Sequence, residues 1–163
     1  MRAALVLSFL SNLILSLVSL SILPDRIAIH FGPGGAPNGW ASNLTNTLIM
    51  LCMQILVFCA LYFAPKLLES VPSKWISLPN RDFWLMPQHR SKAVEKFSHY
   101  MWQFGTALFL FMLFVGLLTF RANLSDPIGL DESLFLTGLA IFLAYTLYWT
   151  VVLLRSFRVP KEP

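Results

Sequence analysis

The chain has few charged residues: only 12% of its 163 residues are Asp, Glu, Lys or Arg. Soluble domains carry about a quarter. Four stretches have no such residue at all, over 3–23, 44–64, 100–120 and 134–154. A helix needs about 20 apolar residues to cross the hydrocarbon core of a bilayer. The sequence therefore predicts an all-α membrane protein in which these four stretches cross the membrane within a single domain, 1–163.

The missing intramembrane charges also bear on function. Secondary transporters and proton pumps usually place ionisable groups inside the membrane. Motifs of nucleotide-binding proteins, metalloproteases and serine hydrolases are absent from the sequence as well. His30 is predicted to lie on one side of the membrane, and His89 and His99 on the other. We therefore expect a non-enzymatic protein with no metal site and no cofactor.

Cysteine is scarce, and both copies, Cys52 and Cys59, fall in the second apolar stretch. Two helical turns separate them by about 10 Å along one helix. This distance exceeds the reach of a disulfide. We expect both to be small apolar packing residues.

Basic residues are distributed unevenly between the connecting segments. With the N-terminus inside, ten of the twelve lie on the inner side and only Arg26 and Arg121 lie outside. The inner set is Arg2, Lys66, Lys74, Arg81, Arg90, Lys92, Lys96, Arg155, Arg158 and Lys161. Because basic bias sets orientation, both termini are predicted to be cytoplasmic. This bias accounts for the net charge of +4, so we expect contact with the lipid bilayer and no nucleic-acid partner.

The first apolar stretch follows Arg2, as in a secretory signal, but it is long and lacks a good cleavage site. We expect it to be retained as a helix. Its polar residues Ser8, Asn12, Ser16 and Ser19 share one face. Such residues either pack against another helix or line a polar path, and helix contact is favoured because no ionisable group joins them. Gln54 and Gln103 are expected to join a buried polar network.

Glycine and proline concentrate between the first two stretches. Residues 24–43 hold four of the eight glycines and three of the ten prolines. This composition favours turns and positive φ angles over a helix. Apolar residues alternate from Ile27 to Phe31, which is typical of a short strand. We predict a structured outer loop, and the alternation admits a small β-hairpin.

The outer loop contains the residues most suited to binding. His30 can titrate or face a ligand, Trp40 offers an aromatic face, and Gly39 can supply a positive φ. The candidate binding residues are Asp25, Arg26, His30, Phe31, Gly39 and Trp40. The alternative is an ordinary connector whose Phe31 and Trp40 only anchor at the membrane interface.

The longest polar segment, 65–97, is predicted to be a cytoplasmic loop. Its prolines interrupt regular structure, and Trp75 and Trp84 suggest contact with lipid headgroups. After Pro87 the sequence can run as a helix into the third apolar stretch. Lys92 and Lys96 lie one turn apart and favour an anionic lipid surface.

Two motifs resemble a bacterial integral membrane family of unknown function that includes the immunity protein against the sporulation-delaying toxin. The first comprises Leu23-Pro-Asp-Arg-Ile, then His30-Phe31, Gly35, Pro37, Gly39 and Trp40. The second is Leu78-Pro-Asn-Arg-Asp-Phe-Trp-Leu-Met-Pro87, ending near Arg90. Asn43 stands where a lysine often closes the first motif, and Phe83 replaces the usual tyrosine. The immunity protein is longer, so the resemblance covers only its first part.

The resemblance implies a polytopic protein of the bacterial inner membrane. It also implies a second set of candidate residues, Asn80, Arg81, Asp82, Trp84 and Arg90. We expect a binding, immunity or signalling module that presents its outer loop to a protein or peptide partner. The alternative is an accessory subunit of a membrane transporter or enzyme complex.

Overall fold

The computed structural model describes residues 1–159, which form helices and one two-stranded sheet. The helices are α1 Arg2–Ile22, α2 Asn43–Ser70, α3 Arg81–Trp84, α4 Pro87–Leu124 and α5 Glu132–Ser156, and the strands are β1 Arg26–Phe31 and β2 Pro37–Ser42. Within these residues, four helices are long and apolar enough to cross a membrane, α1, α2, α4 and α5. The predicted fold of a multi-pass membrane protein is confirmed. Residues 160–163 of the predicted domain, including Lys161, lie outside the described residues.

Two helices extend well beyond their apolar stretches. α2 continues through Pro65 to Ser70, and α4 begins at Pro87. The loop predicted over 65–97 is therefore confined to 71–86 and contains the short α3. At about 1.5 Å per residue, the 38 residues of α4 span roughly 57 Å, nearly twice the hydrocarbon thickness. Composition predicted only the apolar part of each helix. The separate prediction that the sequence after Pro87 runs as a helix into the third apolar stretch is confirmed.

The core of the bundle lies between α1, α2 and α4. Leu5 of α1 and Phe109 of α4 are completely buried. The Phe9 ring stacks on Phe58 of α2, with centroids 4.3 Å apart. Asn12 Nδ2 donates to the carbonyl oxygen of Phe109 at 2.7 Å, so the polar face of α1 makes a helix contact as predicted. Such a bond is favoured in lipid because no water competes for the amide.

α5 packs on the outside of α4 and contains no buried residue. Its Phe142 ring stacks on Phe111 at 4.5 Å, and Trp149 Nε1 donates to the Tyr100 carbonyl oxygen at 3.2 Å. These contacts involve only one side of α5. The rest of its surface is open to lipid or to another protein.

The packing prediction for the two cysteines is wrong. Cys52 and Cys59 are both exposed on the surface of α2. Their spacing of two helical turns places them on one face. That face points away from the core, whereas Gln54 on another face is only 5% exposed.

The two ends of the bundle differ in structure. At the hairpin end, β1 contacts the C-terminal end of α4, and the turn between the strands contacts the start of α5. At the loop end, which holds residues 71–86, α3 contacts the end of α5. α1 begins at the loop end, where the Arg2 guanidinium lies 4.5 Å from the Trp102 ring. Met1 and the end of α5 therefore lie at the same end of the bundle.

Candidate functional site

The outer loop folds as a β-hairpin, which confirms its predicted structure. β1 and β2 are antiparallel, with Arg26 opposite Ser42 and Ala28 opposite Trp40. A short turn at Pro33–Gly35 joins them, and Gly34 and Gly35 adopt the expected positive φ angles of 77° and 74°. Burial does not alternate along β1, where only Ile27 and Ala28 are buried, whereas it alternates along β2.

Asn123 of α4 attaches the hairpin to the bundle. Its Oδ1 accepts from the Ala28 N–H at 2.7 Å, and its Nδ2 donates to the Ala28 carbonyl oxygen at 2.9 Å. The amide thus replaces a neighbouring strand on the open edge of β1. Asn123 is 6% exposed, so both bonds are shielded from solvent.

Asn43, at the start of α2, joins the hairpin to the end of α1. Its backbone N–H donates to the Asp25 carbonyl oxygen at 2.8 Å. Its Nδ2 lies within 3.1–3.3 Å of three carbonyl oxygens at the end of α1, those of Ser19, Leu20 and Leu23. The Ser19 carbonyl oxygen also accepts from the Leu23 N–H, whereas the residue four after Leu20 is Pro24, which has no N–H to donate. The buried Asn43 amide therefore completes the cap of α1.

The hairpin turn is held by the segment that leads into α5. Leu130 N–H donates to the Gly35 carbonyl oxygen at 2.9 Å, and Gly34 N–H donates to Glu132 Oε2 at 2.8 Å. A Cβ at Gly35 would overlap the Leu130 carbonyl oxygen. Gly35 is therefore required by this close backbone approach as well as by its φ angle.

The predicted binding residues include an exposed pair at the base of the hairpin. The Arg26 guanidinium lies 5.5 Å from the centroid of the Trp40 ring, a cation–π distance. Trp40 is 41% exposed and Ile29 is 45% exposed. The arrangement offers a cation and apolar surface side by side. Asp25 is also exposed, and its backbone carbonyl oxygen accepts from the Asn43 N–H at the start of α2.

Toward the turn, the exposed His30 ring hydrogen-bonds through Nδ1 to Asn38 Oδ1. Phe31 is half-buried at the end of β1. Gly39 could supply a positive φ but does not adopt one. It faces His30 across the strands, and a Cβ on Gly39 would lie 2.8 Å from the His30 Cβ. Close strand approach is the reason for glycine at this position.

The second candidate set lies at the loop end and is largely structural. Asn80 adopts a left-handed conformation with φ 52°, which Asn tolerates. Its Nδ2 and the Trp84 Nε1 each donate to the Phe157 carbonyl oxygen at 2.8 Å, beyond the end of α5. Trp84 is 6% exposed, so its predicted headgroup contact is wrong. Trp75, by contrast, is 74% exposed.

Arg90 caps α2 from the first turn of α4. Its Nε donates to the Leu68 carbonyl oxygen at 2.7 Å, and its Nη2 donates to that of Val71 at 2.6 Å. Arg81 and Asp82 remain largely exposed and form an ion pair at 3.4 Å. These two are the members of the second set whose side chains are open to solvent or to a partner.

Lys96 is engaged within the chain. Its Nζ donates to the Ser156 carbonyl oxygen at 2.7 Å and lies 4.4 Å from the Trp84 ring. A cation at the C-terminal end of a helix complements the helix dipole. Lys96 is half-buried and bonded within the chain, while Lys92, the other lysine predicted to favour an anionic lipid surface, is exposed.

Sequence reasoning did not identify Asn123 and Glu132 as site residues, and it noted Asn43 only as a departure from a family pattern. Asn43 and Asn123 stand beside the ends of apolar stretches, where a polar side chain can reach loop backbone. This position in the sequence is the feature that could have identified them as site residues. Within residues 1–159, no three His, Cys, Asp or Glu side chains cluster closely enough to hold a metal ion.

Comparison with known proteins yields one family match. Residues 7–55 match DUF1648, a domain of unknown function. The match covers most of α1, the whole hairpin and the first part of α2, and it leaves the loop end outside. No curated protein and no solved structure matches the chain.

Proposed function

We propose that the protein is a non-enzymatic module of the bacterial inner membrane that presents its hairpin to a protein or peptide partner. Such a module fits a binding, immunity or signalling role. The observation that carries the proposal is that the hairpin is bonded to α4 and α5 through Asn123 and Glu132, while Arg26, His30 and Trp40 stay exposed.

A fixed hairpin supports binding for an energetic reason. A loop that is already ordered loses little conformational freedom when a partner arrives. Trp and Arg are also the residue types that most often dominate binding energy at interfaces. Arg26 and Trp40 therefore favour a partner with an apolar side chain next to a carboxylate.

The proposed orientation places the hairpin on the outer face and both chain ends in the cytoplasm. Of the eleven basic residues within 1–159, only Arg26 and Arg121 belong to the hairpin end. Basic residues are retained on the cytoplasmic side during insertion. The charge distribution supports this orientation.

Cysteine accessibility tests the orientation. Exposed positions Ala36, in the hairpin turn, and Ser77, at the loop end, are each changed to Cys in a background lacking Cys52 and Cys59. An impermeant thiol reagent added to intact cells should label only Ala36→Cys. Labelling of Ser77→Cys alone would reverse the proposed orientation.

Copurification from native membranes tests the role of the hairpin. His30→Ala and Trp40→Ala remove exposed contacts, and Gly39→Val forces a side chain against His30. All three should lose the partner and still insert. Arg81→Ala changes an exposed residue at the opposite end and is the matched control. If all three hairpin variants keep every protein that accompanies the unaltered chain, the proposal is wrong.

The alternative function is that of an accessory subunit, and the outer surface of α5 favours it. None of its residues is buried, and Leu147 is 70% exposed. A larger membrane complex would cover that surface. In this case Leu147→Gln should release the complex, whereas Trp40→Ala should leave it intact.

A further inference from the structure

A cavity of about 900 Å³ lies at the loop end of the bundle. It is bounded by the first turns of α4, the end of α2 and the C-terminal half of α5, and Arg2 of α1 also lines it. The cavity is open to the surface, because Lys66, Lys92 and Tyr148 in its wall are exposed. Small-molecule sites typically occupy about 300–1,000 Å³, so the volume admits a ligand.

The cavity extends across one boundary of the hydrocarbon core. The uncharged stretches 3–23, 44–64, 100–120 and 134–154 mark the parts of the helices that can lie in hydrocarbon. The aromatic residues of the wall belong to these stretches: Tyr62, Tyr100, Trp102, Tyr145, Tyr148 and Trp149. The charged residues of the wall lie outside them: Arg2, Lys66, Glu69, Lys92, Glu95 and Lys96. A phospholipid has the same order, with a charged headgroup next to apolar chains.

Arg2 is positioned in the cavity with its hydrogen-bond donors free. The carbon of its guanidinium lies 4.5 Å from the centroid of the Trp102 ring and 5.8 Å from that of Tyr62. These are cation–π distances, and the contacts hold the side chain in place. Within residues 1–159 its N–H groups make no hydrogen bond and no ion pair, since the ion pair there joins Arg81 and Asp82. A guanidinium in this state can bind two oxygens of one phosphate.

The other charges of the wall favour an anion, because four basic residues line the cavity against two acidic ones. Lys96 already donates to a backbone carbonyl oxygen. Arg2, Lys66 and Lys92 form no ion pair within residues 1–159. Lys66 follows Tyr62 by one helical turn, so it lies on the face of α2 that is next to Arg2. The two carboxylates can accept hydrogen bonds from the hydroxyl groups of a glycerol headgroup.

The aromatic part of the wall distinguishes a lipid from a soluble anion. At about 30 Å³ for each water-sized group, 900 Å³ corresponds to roughly thirty non-hydrogen atoms, more than a phosphate and its glycerol require. The remaining volume is next to Tyr145, Trp149 and Val152 of α5, at the depth of acyl chains. A soluble anion would leave this part of the cavity unfilled.

We propose that this cavity binds one anionic phospholipid, with its phosphate on Arg2 and Lys66 and the start of its acyl chains along Tyr145 and Trp149. Basic pockets between membrane-spanning helices are suited to such headgroups. The cavity lies at the end of the bundle opposite the hairpin and requires no protein partner. The proposal therefore stands or fails independently of the function proposed above.

Native mass spectrometry of the purified protein in detergent tests the site. The protein is titrated with phosphatidylglycerol or with phosphatidylcholine of the same acyl chains. One phosphatidylglycerol should bind at saturation, about tenfold more tightly than phosphatidylcholine, because choline adds a positive charge to a cavity with an excess of cations. Glycerol phosphate at the same concentration should not displace the lipid, since it lacks the acyl chains.

Arg2→Ala should weaken the binding of phosphatidylglycerol about tenfold, because its charge-assisted bonds to the phosphate are lost. Arg2→Lys should recover only part of this loss. Arg155→Ala is the matched control, since Arg155 is exposed at the same end of the bundle and does not line the cavity. Lys66→Gln should weaken binding about fivefold and keeps the test available if Arg2→Ala fails to fold.

Four results would overturn the proposal. Equal affinity for phosphatidylglycerol and phosphatidylcholine would mean that the cavity does not select an anion. An equal loss in Arg155→Ala and Arg2→Ala would mean that overall charge, and not the cavity, attracts the lipid. Displacement by glycerol phosphate would mean that the cavity takes a soluble phosphate. Unchanged binding in both Arg2→Ala and Lys66→Gln would mean that the lipid binds elsewhere.

Discussion

The hairpin end and the loop end use the same kind of bond for different purposes. At both ends, side chains bond to backbone groups that helices or strands leave unpaired. At the loop end the motif residues themselves make these bonds, since Asn80, Trp84 and Arg90 donate to carbonyl oxygens of α2 and of Phe157. At the hairpin end, Asn123 and Glu132 from outside the motif make them.

This difference separates residues whose side chains stabilise the fold from residues whose side chains can contact a partner. A donor already bonded inside the chain can bind a partner only by breaking that bond. Trp40 and His30 of the hairpin motif stay on the surface because Asn123 of α4 holds the hairpin through the backbone of Ala28. We therefore expect substitutions in the loop-end motif to reduce stability and substitutions in the hairpin motif to reduce binding.

Trp84→Ala should have the largest effect on stability. The indole is buried against Phe157, with ring centroids 5.5 Å apart, and its removal leaves a cavity and takes away one of the two donors to the Phe157 carbonyl oxygen. Comparable Trp→Ala changes cost about 3–5 kcal/mol. Denaturant unfolding in mixed micelles measures the loss. The exposed Trp75→Ala is the control, and an equal loss there would contradict a specific role for Trp84.

Arg90→Ala should have the next largest effect. We expect it to lower the free energy of unfolding by about 2–3 kcal/mol, because two charge-assisted bonds to the end of α2 disappear. Arg90→Lys should restore only part of this, since an ammonium cannot reproduce the planar fork of the guanidinium. The same unfolding assay applies. Full stability of Arg90→Ala would show that the cap is energetically unimportant.

Asn123→Ala should weaken the attachment of the hairpin by about 1–2 kcal/mol, because two neutral hydrogen bonds are lost. Hydrogen exchange should accelerate at the amide of Ala28 while the core of α1 and α4 stays protected. Asn38→Ala, which changes only the exposed side of the hairpin, is the control. Unchanged exchange at Ala28 would mean that other contacts hold β1.

Trp40→Ala should have the smallest effect on stability, about 0.5–1 kcal/mol, mainly from the lost cation–π contact with Arg26. If the proposed function is correct, the Trp40→Ala protein should nevertheless fail to copurify with the partner. This pairing of a stable fold with lost binding is opposite to the result expected for Trp84→Ala. A destabilisation as large as that of Trp84→Ala would remove the distinction between the two ends.

The sequence alone determined the number of spanning helices and the position of the hairpin. Both are local properties: an apolar stretch of sufficient length must be helical in lipid, and dense Gly and Pro impose turns. The same local signal underestimated α2 and α4, because a helix can continue past the hydrocarbon into polar surroundings where hydropathy no longer marks it.

Tertiary structure decided which motif residues remain exposed and which are used in packing. Asn123 meets Ala28 across 95 residues of chain, and Trp84 meets Phe157 across 73. Such contacts depend on how each helix is rotated and how far it is shifted along its neighbour. Residue spacing within one segment carries no information on the rotation or the shift of a helix. The sequence therefore cannot tell that the hairpin motif leaves side chains exposed while the loop-end motif uses them in packing.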